Sequence, residues 1–554
     1  MKRNFSSTRA TKNKAMIKKL LLLILLSSFA LLTYSQDNEL HAFDLNHSGV
    51  YPLKDYSDSP MFVDYNISAE SAPQNEPTVR ISRTDPNIVV AAWRDFRLGW
   101  QEPNVVRRIG YAYSVDGGIT WSESQLLPDP LPNHISQSDP VLTSDASGHF
   151  YLSSTSRQPV MNYNRDMLLY KSTDNGQTFS LHATAVPGSG LQGEDKEWIF
   201  CDPVPTNATY DNIMIAWKSF GASYGIKFRK SDVGGTNWGP TIDVGDNQSG
   251  QGANLATGTD GSIHIVWWDG GLRYDRSLDG GENFGLDRFI SATGSQNNTS
   301  FPYICVDYSS KPSRGNVYVA FIDRRLGTDD VWFQRSTDGG ENWMTDPVRV
   351  NDVAQNNQYW PSIQCDENGR IVVVYFDERE GPSQMNAYMA YSDDEGDTWT
   401  NARLSNLTFH GIQPNSNVRY GDYIGIDAYG GKIVPVWTDD RAGSYNQEIY
   451  TAVIDIPIGL DELSSLNDEL TLYQNFPNPF TSETNIRFEL NKEDQVRIEV
   501  FNIAGQLLDV LLDETLATGK HQVKWQATEY DAGIYILKLS SERSVSYLRM
   551  THHQ

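Results

Sequence analysis

A short polar segment recurs six times along this chain, and its spacing limits the folds that the chain can adopt. The copies are "YSVDGGITW" (113–121), "KSTDNGQTF" (171–179), "KSDVGGTNW" (230–238), "RSLDGGENF" (276–284), "RSTDGGENW" (335–343) and "YSDDEGDTW" (391–399). Their opening serines lie 46 to 59 residues apart, which indicates one supersecondary unit repeated along the chain. Six copies favour an architectural role for the segment over six reaction centres.

Each unit contains four predicted strands. In the clearest unit, "WPSIQCDENGRIVVVYFDER" (360–379) predicts a strand, an Asn-Gly turn and a second strand rich in β-branched and aromatic residues. The segments "MNAYMAYSDDEGDTW" (385–399) and "ARLSN" (402–406) supply the third and fourth strands, which the polar turn joins. Four antiparallel strands in a unit of this length are typical of a propeller blade.

The number of units predicts an all-β, seven-bladed β-propeller, with six blades as the alternative. First strands begin near seven positions, namely Pro77, Pro140, Trp198, Ala253, Pro302, Pro361 and Asp422. No polar turn follows the seventh unit, so we expect residues 62–70 to supply its outermost strand. Pairing the two ends of the propeller region in this way would close the ring and remove an exposed sheet edge.

The consensus of the polar turn, Ser-x-Asp-x-Gly-x-x-Trp, has a structural explanation. Glycine adopts the positive φ of a tight reversal, and the Ser and Asp side chains hydrogen-bond to backbone groups of the turn. The predicted structural aspartates are Asp116, Asp174, Asp279, Asp338 and Asp394. The third copy has Val233 at this position, so we expect that turn to lack the carboxylate.

This turn is the Asp-box, and residues 60–456 resemble the Asp-box (BNR-repeat) propellers of the sialidase superfamily. The resemblance implies three arginines on the substrate carboxylate, a tyrosine nucleophile activated by glutamate, and an aspartate acid/base. The first of those arginines belongs to an Arg-Ile-Pro motif. The corresponding stretch here is "QNEPTV", with Asn75 and Glu76 before Pro77, so that arginine is absent.

The last part of the chain departs from the repeat and predicts a small C-terminal β-sandwich. Strand segments alternate there with turn residues over about ninety positions. The motifs "NFPNPF", "VFNIAGQLL" and "AGIYILKL" closely resemble the type A sorting domain of the type IX secretion system of Bacteroidota. The resemblance implies that this machinery is a partner, and that the protein crosses the outer membrane to be released or anchored at the cell surface.

The N-terminus predicts export as well. Seven Lys and Arg residues and no acidic residue precede position 35, and an apolar run with small residues follows them, as in a secretory signal. The predicted domains are a signal peptide at 1–35, an N-terminal segment at 36–59, the propeller at 60–456, a linker at 457–469 and the sorting domain at 470–554. No other segment is apolar over the length of a membrane span.

Charge and cysteine content narrow the possible ligands. The net charge of −25 repels nucleic acids and other polyanions, so we expect no nucleic-acid partner and no membrane span. The three cysteines, Cys201, Cys305 and Cys365, are interpreted as small buried residues, although a single disulfide remains open. No Cys/His cluster accompanies them, and we predict neither a metal nor another cofactor.

Second strands end in a recurring pattern with Asp two residues before Arg. The four copies are "WRDFR" (93–97), "FIDRR" (321–325), "YFDER" (375–379) and "WTDDR" (437–441). They place Arg97, Arg325, Arg379 and Arg441 around one rim of the propeller, opposite the polar turns. Each arginine could bridge to a nearby carboxylate, or some of them could bind a carboxylated sugar through bidentate hydrogen bonds.

Two irregular segments supply further candidate site residues. The segments are "GEDKEWIFCD" (193–202) and "HGIQPNSNVRYGDY" (410–423). Glu197 and Tyr420 would form an activated tyrosine if they meet across the channel. Asp95 completes the predicted catalytic set, and Arg419 joins the four rim arginines as a predicted substrate-binding residue.

The sequence leaves the reaction open. The leading hypothesis is a sialidase-like propeller that acts on extracellular glycans as a glycoside hydrolase. One alternative is a non-catalytic glycan-binding or surface-interaction propeller. The other is a polysaccharide lyase for acidic polysaccharide, in which His134 or His410 could act as the base.

Overall fold

The computed structural model describes residues 64–552 apart from sixteen internal gaps. The gaps are 102–103, 133, 159–163, 189–192, 222–223, 247–248, 292–299, 412–417, 444–445, 453, 456–469, 477–479, 491, 503–506, 531–532 and 542–544. The described residues form strands and turns and contain no helix that could span a membrane. The predicted signal peptide, N-terminal segment and linker lie outside the described residues.

Residues 64–455 form six four-stranded sheets and one five-stranded sheet, numbered here in chain order. The first four sheets are preceded by β1 (Asp64–Asn66). Sheet 1 comprises β2 (Gln74–Ile81), β3 (Val89–Asp95), β4 (Arg108–Ser114) and β5 (Gln125–Leu126). Sheet 2 comprises β6 (Ser136–Ser144), β7 (Phe150–Arg157), β8 (Arg165–Ser172) and β9 (Ser180–Val186). Sheet 3 comprises β10 (Glu194–Cys201), β11 (Asn212–Ser219), β12 (Gly225–Val233) and β13 (Ile242–Asp243). Sheet 4 comprises β14 (Gln251–Thr257), β15 (Ile263–Trp268), β16 (Leu272–Ser277) and β17 (Arg288–Ser291).

The remaining three sheets of this region follow the same order. Sheet 5 comprises β18 (Tyr303–Val306), β19 (Val317–Asp323), β20 (Asp330–Ser336) and β21 (Val348–Arg349). Sheet 6 comprises β22 (Gln358–Cys365), β23 (Ile371–Asp377), β24 (Asn386–Ser392) and β25 (Thr400–Arg403). Sheet 7 comprises β26 (Gly425–Tyr429), β27 (Lys432–Asp439), β28 (Glu448–Ala452) and β29 (Ile454–Asp455), together with β1.

The sheets are arranged in a ring around a common axis. The first strand of each sheet contacts the first strand of the next, and β26 returns to contact β2. All of these first strands line one axial cavity, through residues that include Thr78, Leu142, Ile199, Leu255, Tyr303, Ile363 and Ile426. This circular packing of antiparallel sheets is a β-propeller.

The N-terminal strand closes the ring, as the sequence predicted. Strand β1 pairs antiparallel with β28, with Asp64 opposite Ala452 and Asn66 opposite Tyr450. Sheet 7 therefore combines residues from both ends of the propeller region. Its outermost strand is supplied by residues 64–66, and its strands β26, β27 and β28 contact β2 of sheet 1.

Apolar side chains between neighbouring sheets form the core of the ring. The second strand of sheet 1 is buried at every position from Val89 to Asp95, and that of sheet 6 is buried from Ile371 to Asp377. Continuous burial explains why these strands show no polar alternation, since sheets cover both of their faces. The three cysteines are buried and free.

The polar turns have the hydrogen bonds that the consensus predicts. In the first turn, Ser114 Oγ accepts from Gly118 N at 2.8 Å and donates to Asp116 Oδ1 at 2.7 Å, and Thr120 N donates to the same carboxylate at 2.9 Å. The Trp121 indole then donates to the Gly118 carbonyl at 2.8 Å. Corresponding bonds involve Asp174, Asp279, Asp338 and Asp394.

The prediction that the third turn lacks its carboxylate is wrong. Asp232 Oδ1 accepts from Asn237 N at 2.9 Å, and Asp232 Oδ2 accepts from Asn237 Nδ2 at 2.6 Å. The pairing of β11 with β12 shifts register between Asn212 and Met214, and the carboxylate of this turn comes from one residue before the consensus position. Val233 consequently points to solvent, with 66% of its surface exposed.

The C-terminal region forms two sheets over a shared apolar core. One sheet has the strand order β30-β31-β34 and the other β33-β32-β35-β36. The strands are β30 (Leu470–Phe476), β31 (Glu483–Leu490), β32 (Asp494–Asn502), β33 (Leu507–Leu516), β34 (Gly519–Gln526), β35 (Gly533–Ser540) and β36 (Val545–His552). Phe488, Ile498, Trp525 and Leu537 are among the buried core residues, consistent with a small β-sandwich.

Candidate functional site

The two ends of the ring carry different structures. In sheet 1, Asp95 at the end of the second strand pairs with Gln74 at the start of the first, whereas Val89 pairs with Ser114 of the polar turn. The first strands therefore begin at the end opposite the polar turns. We call this end the mouth.

Each rim arginine is bonded to the aspartate of its own motif. The N–O distances are 2.7 Å for Arg97–Asp95, 2.9 Å for Arg325–Asp323, 2.8 Å for Arg379–Asp377 and 2.9 Å for Arg441–Asp439. Three of the guanidinium groups also lie over aromatic rings of the third strand, namely Trp332, Tyr388 and Tyr450. These contacts agree with the interpretation in which each arginine bridges to a nearby carboxylate. The third strand, which supplies the aromatic rings, stands away from the axis.

The structure does not bring the three predicted catalytic residues together. The Tyr420 hydroxyl donates to the Thr438 carbonyl at 2.9 Å, and neither Glu197 oxygen has a hydrogen-bond partner among the other described residues. Asp95 has no exposed surface and is bonded to Arg97. Arg419 is exposed, and its backbone carbonyl accepts from Asn75 Nδ2 at 2.6 Å.

First strands contain β-bulges close to the mouth. The strand pairing shifts register at equivalent places in sheets 1, 2, 3, 4 and 6. The residue inside each bulge has positive φ, and these bulge residues are Glu76 (55°), Asp139 (54°), Lys196 (52°), Gly252 (72°) and Trp360 (55°). Bulges re-aim side chains and occur often beside active sites, so these five positions mark the mouth as the candidate site.

Charged residues gather at the mouth, and we call Glu76, Asp139, Lys196, Glu197 and Asp422 the mouth cluster. Arg94 Nη1 lies 2.7 Å from Glu76 Oε1. Lys196 Nζ lies 3.3 Å from the centre of the Tyr423 ring. Lys196 belongs to sheet 3 and Tyr423 precedes sheet 7, which are not neighbours in the ring, so the lysine side chain crosses the axis.

Several buried polar atoms of the mouth have no hydrogen-bond partner among the described residues. They are Glu76 Oε2, Lys196 Nζ, both carboxylate oxygens of Glu197, the Tyr303 hydroxyl and Asp422 Oδ1. Buried polar atoms in folded proteins are nearly always hydrogen-bonded. Because these atoms lie together at one end of the axis, we interpret the mouth as a candidate binding site for a polar ligand.

Burial changes the acidity of these carboxyl groups. Burial, reinforced by Asp139 and Asp422 and opposed by Arg94, raises the pKa of Glu76 to about 8. Burial and the nearby Asp139 also raise the pKa of Glu197 well above its usual range. The pKa of Asp422 is raised by burial, against the attraction of Lys196. A carboxyl group of the mouth cluster, that of Glu76, can therefore keep its proton at neutral pH.

The two histidines considered for lyase chemistry differ in their surroundings. The His134 ring is buried and bonds to Ser156 Oγ at 2.8 Å and Asp166 Oδ2 at 3.0 Å. The order Ser-His-Asp resembles a hydrolase triad, but Ser156 has no exposed surface. His410 is exposed and contacts the Ser383 carbonyl.

Sequence reasoning overlooked Arg94 and Asp139. Asp139 had a detectable signal, because "DP" at 139–140 occupies the place in its first strand that "EP" at 76–77 occupies in the preceding one. Within the described ranges, no group of three or more His, Cys, Asp or Glu side chains is arranged to hold a metal ion.

Two family models match parts of the chain. Residues 112–123, which contain the first polar turn, match the BNR/Asp-box repeat. Residues 474–550 match the secretion system C-terminal sorting domain, and the chain therefore carries a sorting domain behind its propeller. No curated protein shows a significant sequence match.

Solved structures with a similar fold have low sequence identity to this chain. A Dyadobacter fermentans protein of unknown function is 14% identical with a TM-score of 0.41, covering 72% of this chain and 99% of its own. Penicillium chrysogenum α-L-arabinanase, complexed with arabinobiose, is 16% identical with a TM-score of 0.40 and coverages of 72% and 99%. The Hadza microbial sialidase Hz136 is 13% identical with a TM-score of 0.37 and coverages of 71% and 68%. At this level of similarity, none of these proteins identifies a reaction for this chain.

Proposed function

We propose that this chain is an exported glycoside hydrolase in which seven sheets form the seven blades of a closed propeller. The mouth cluster is the observation that carries the proposal. It gathers several carboxyl groups with buried, unpartnered oxygens at the axial opening, and one of them, Glu76, keeps its proton at neutral pH. Glycoside hydrolysis uses one protonated and one ionised carboxyl group.

Glu76 is suited to be the proton donor. Its pKa of about 8 keeps the carboxyl group protonated at neutral pH, and its Oε2 has no partner among the described residues. Arg94 holds the other oxygen at 2.7 Å. This bond fixes the orientation of the carboxyl group and leaves Oε2 to protonate the leaving oxygen of a glycosidic bond.

Asp139 and Asp422 are the candidates for the second carboxyl group. Both are partly exposed at the mouth, and Thr155 Oγ1 donates to Asp139 Oδ2 at 3.0 Å. A carboxylate in this position could activate water or attack the sugar directly. Arg419, exposed near Asp422, keeps its predicted role in substrate binding.

The other predicted site residues receive different roles in this proposal. Asp95 and the four rim arginines tie the second strands to their own sheets, because each guanidinium is already bonded to a buried carboxylate. Tyr420 packs in the core through its bond to Thr438. Glu197 stays in the site as a buried member of the mouth cluster.

A non-catalytic glycan-binding propeller is the second candidate function. It is favoured by the pairing of every rim arginine with the aspartate of its own motif and by Asn75 and Glu76 at the place of the expected arginine. Such a protein would bind glycans at the mouth and leave them intact. Lyase chemistry receives no comparable support from His134 or His410.

The sorting domain and the N-terminal sequence together support export. We propose that the type IX secretion machinery recognises the domain at 470–554 and delivers the propeller to the cell surface or the medium. The linker at 457–469 would then separate the sorting domain from its cargo. Extracellular glycans are the substrates that this location makes available.

The test measures bond cleavage by the full chain. Neutral and acidic polysaccharides and fluorogenic sialosides are incubated with the wild type and Glu76→Gln, and released reducing ends, fluorescence and ultraviolet absorbance are followed. Release of reducing ends or fluorophore that Glu76→Gln lowers by about a hundredfold or more supports a hydrolase with this proton donor. Glycan binding without cleavage supports the second candidate, and absorbance from an unsaturated product would indicate a lyase.

A further inference from the structure

The mouth has a charged side and an aromatic side. Bulge residues in sheets 1, 2 and 3 are the charged Glu76, Asp139 and Lys196, whereas sheet 6 presents Trp360 at the equivalent position. In the ring order of the seven sheets, sheet 6 lies across the axis from sheets 2 and 3. A sugar ring has the same division, with hydroxyl groups at its edge and C–H bonds on its face.

Trp360 is held rigidly at this opening. Its ring stacks on Tyr420, with 6.2 Å between centroids and an interplanar angle of 24°. Tyr359 and Phe376 pack around it at 5.4 Å and 5.5 Å. These contacts fix the orientation of the indole, and the side chain keeps part of its surface exposed.

The backbone of Trp360 is strained. A bulky residue at a φ of 55° is unusual, and such a conformation costs about 1–3 kcal/mol. Glycine occupies the equivalent bulge position in sheet 4, where Gly252 has a φ of 72°. Glycine would satisfy the bulge of sheet 6 without strain, so the tryptophan is accounted for by its side chain, which packs on Tyr420 and Phe376 and stays partly exposed.

We propose that Trp360 is a stacking platform for one sugar ring of the glycan bound at the mouth. The inference rests on the proposed function, because the mouth cluster would bind the hydroxyl edge of that glycan. An aromatic face suits the C–H face of a sugar, and the carboxylates opposite are acceptors for its hydroxyl donors. Trp360 would act as a specificity-determining residue that favours ligands with an unsubstituted ring face.

The experiment compares Trp360→Ala and Trp360→Phe with a matched control at the other end of the same sheet. Trp399 is a half-buried residue that packs on Phe333 at 5.2 Å, so Trp399→Phe tests a tryptophan away from the mouth. All variants are made in the Glu76→Gln full chain to prevent turnover. Binding is screened on an array of neutral and acidic oligosaccharides and quantified by titration calorimetry with the best-bound oligosaccharide.

We expect Trp360→Ala to weaken binding by about tenfold or more, the size expected from losing the apolar contact of one ring face. Trp360→Phe should lose less affinity and retain the thermal midpoint of its parent, and Trp399→Phe should bind normally. Normal affinity in both Trp360 variants would overturn the platform while leaving the proposed function in place. No binding by either the wild type or its Glu76→Gln parent would overturn both.

A kinetic comparison separates stacking from a packing role. In the chain with Glu76 intact, a platform that binds a sugar should raise KM when Trp360 is replaced by Phe, with little change in kcat. A packing role would lower the thermal midpoint and the active fraction without changing KM. The second pattern would overturn the inference.

Discussion

The carboxylate of Asp64 lies 2.6 Å from Nη1 of Arg441, and both side chains are buried. This ion pair ties the first described strand to the end of sheet 7. Asp64 also accepts hydrogen bonds from the backbone and side chain of Asn406, which follows sheet 6. One carboxylate therefore joins the N-terminal strand to two neighbouring sheets.

We expect Asp64→Ala to lower the free energy of unfolding by about 2–4 kcal/mol, because it leaves a buried guanidinium with one partner fewer. Denaturant unfolding of the full chain measures the change. Lys230→Ala is the matched control, since its pair with Glu282 is solvent-exposed and should contribute less than about 1 kcal/mol. Equal effects of the two substitutions would contradict a special role for the closing strand.

Asp427 should make stability depend on acid pH. The side chain is buried and accepts from Ile81 N at 2.8 Å, Arg83 Nη2 at 2.9 Å and Gln364 Nε2 at 2.9 Å. Burial alone would raise its pKa, but Arg80 and Arg83 lower the pKa to about 2. The carboxylate therefore contributes about 2 kcal/mol above its unfolded pKa, and this contribution is lost as the pH falls from about 4 to about 2.

The measurement for Asp427 is the unfolding free energy of wild type and Asp427→Asn as a function of pH. The difference between the two proteins should be largest near neutral pH and shrink below about pH 4. Asp346→Asn, at an exposed position, should show no such difference. A gap between wild type and Asp427→Asn that stays constant across this range would show that the charge is not responsible.

The third polar turn offers a direct test of its shifted register. Asp232→Ala removes the acceptor for Asn237 and should destabilise the protein by about 1–2 kcal/mol. Val233→Ala, at the position first expected to matter, should change stability by less than about 0.5 kcal/mol. Thermal unfolding distinguishes the residues, and the reverse order of effects would mean that the turn lacks this register.

Glu76 should limit activity at alkaline pH. If its protonated carboxyl group is the proton donor, kcat/KM for a cleaved glycan should fall as the pH rises through about 8. Glu76→Asp keeps an ionisable group and should retain part of the activity and a similar alkaline limb. A profile that stays flat to pH 10 would remove Glu76 from this role.

The same residue should affect stability with the opposite sign to Asp427. The native carboxyl group keeps its proton up to about pH 8, whereas the unfolded one loses it near 4.5, so stability should fall as the pH rises between these values. Glu76→Gln cannot ionise and should gain on the order of 2–4 kcal/mol relative to wild type at pH 9. Parallel pH dependences of the two proteins would show that Glu76 ionises normally.

Local patterns explain why the repeat could be predicted. The serine-led turns, the buried second strands and the pairing of residues 64–66 with sheet 7 follow from turn chemistry, apolar runs and the need to cover a sheet edge. The Asp-Arg pairs at the rim could also be predicted, because each aspartate lies only two residues before its arginine. Val233 shows where such local patterns fail. It occupies the consensus position, but the carboxylate of the third turn comes from Asp232.

The mouth could be located only approximately. Glu197 and Asp422 lie in segments that interrupt the repeat, and that signal was readable. Tyr420 could not be assigned to the core beforehand, because its bond to the Thr438 carbonyl depends on how sheet 7 packs. Arg94 was overlooked because it lies in the repeated motif "WRDFR" (93–97), in which only Arg97 was interpreted as a site residue.

The sequence by itself determined the repeating unit, since turn residues and apolar runs act over a few neighbouring positions. The tertiary structure decided which side chains meet at the mouth. Bulges with positive φ lie at Glu76, Asp139, Lys196 and Trp360, all near the mouth end of their first strands. Ring closure brings residues more than two hundred positions apart within contact, as Lys196 and Tyr423 show. Such contacts depend on the packing of whole sheets, which no local pattern encodes.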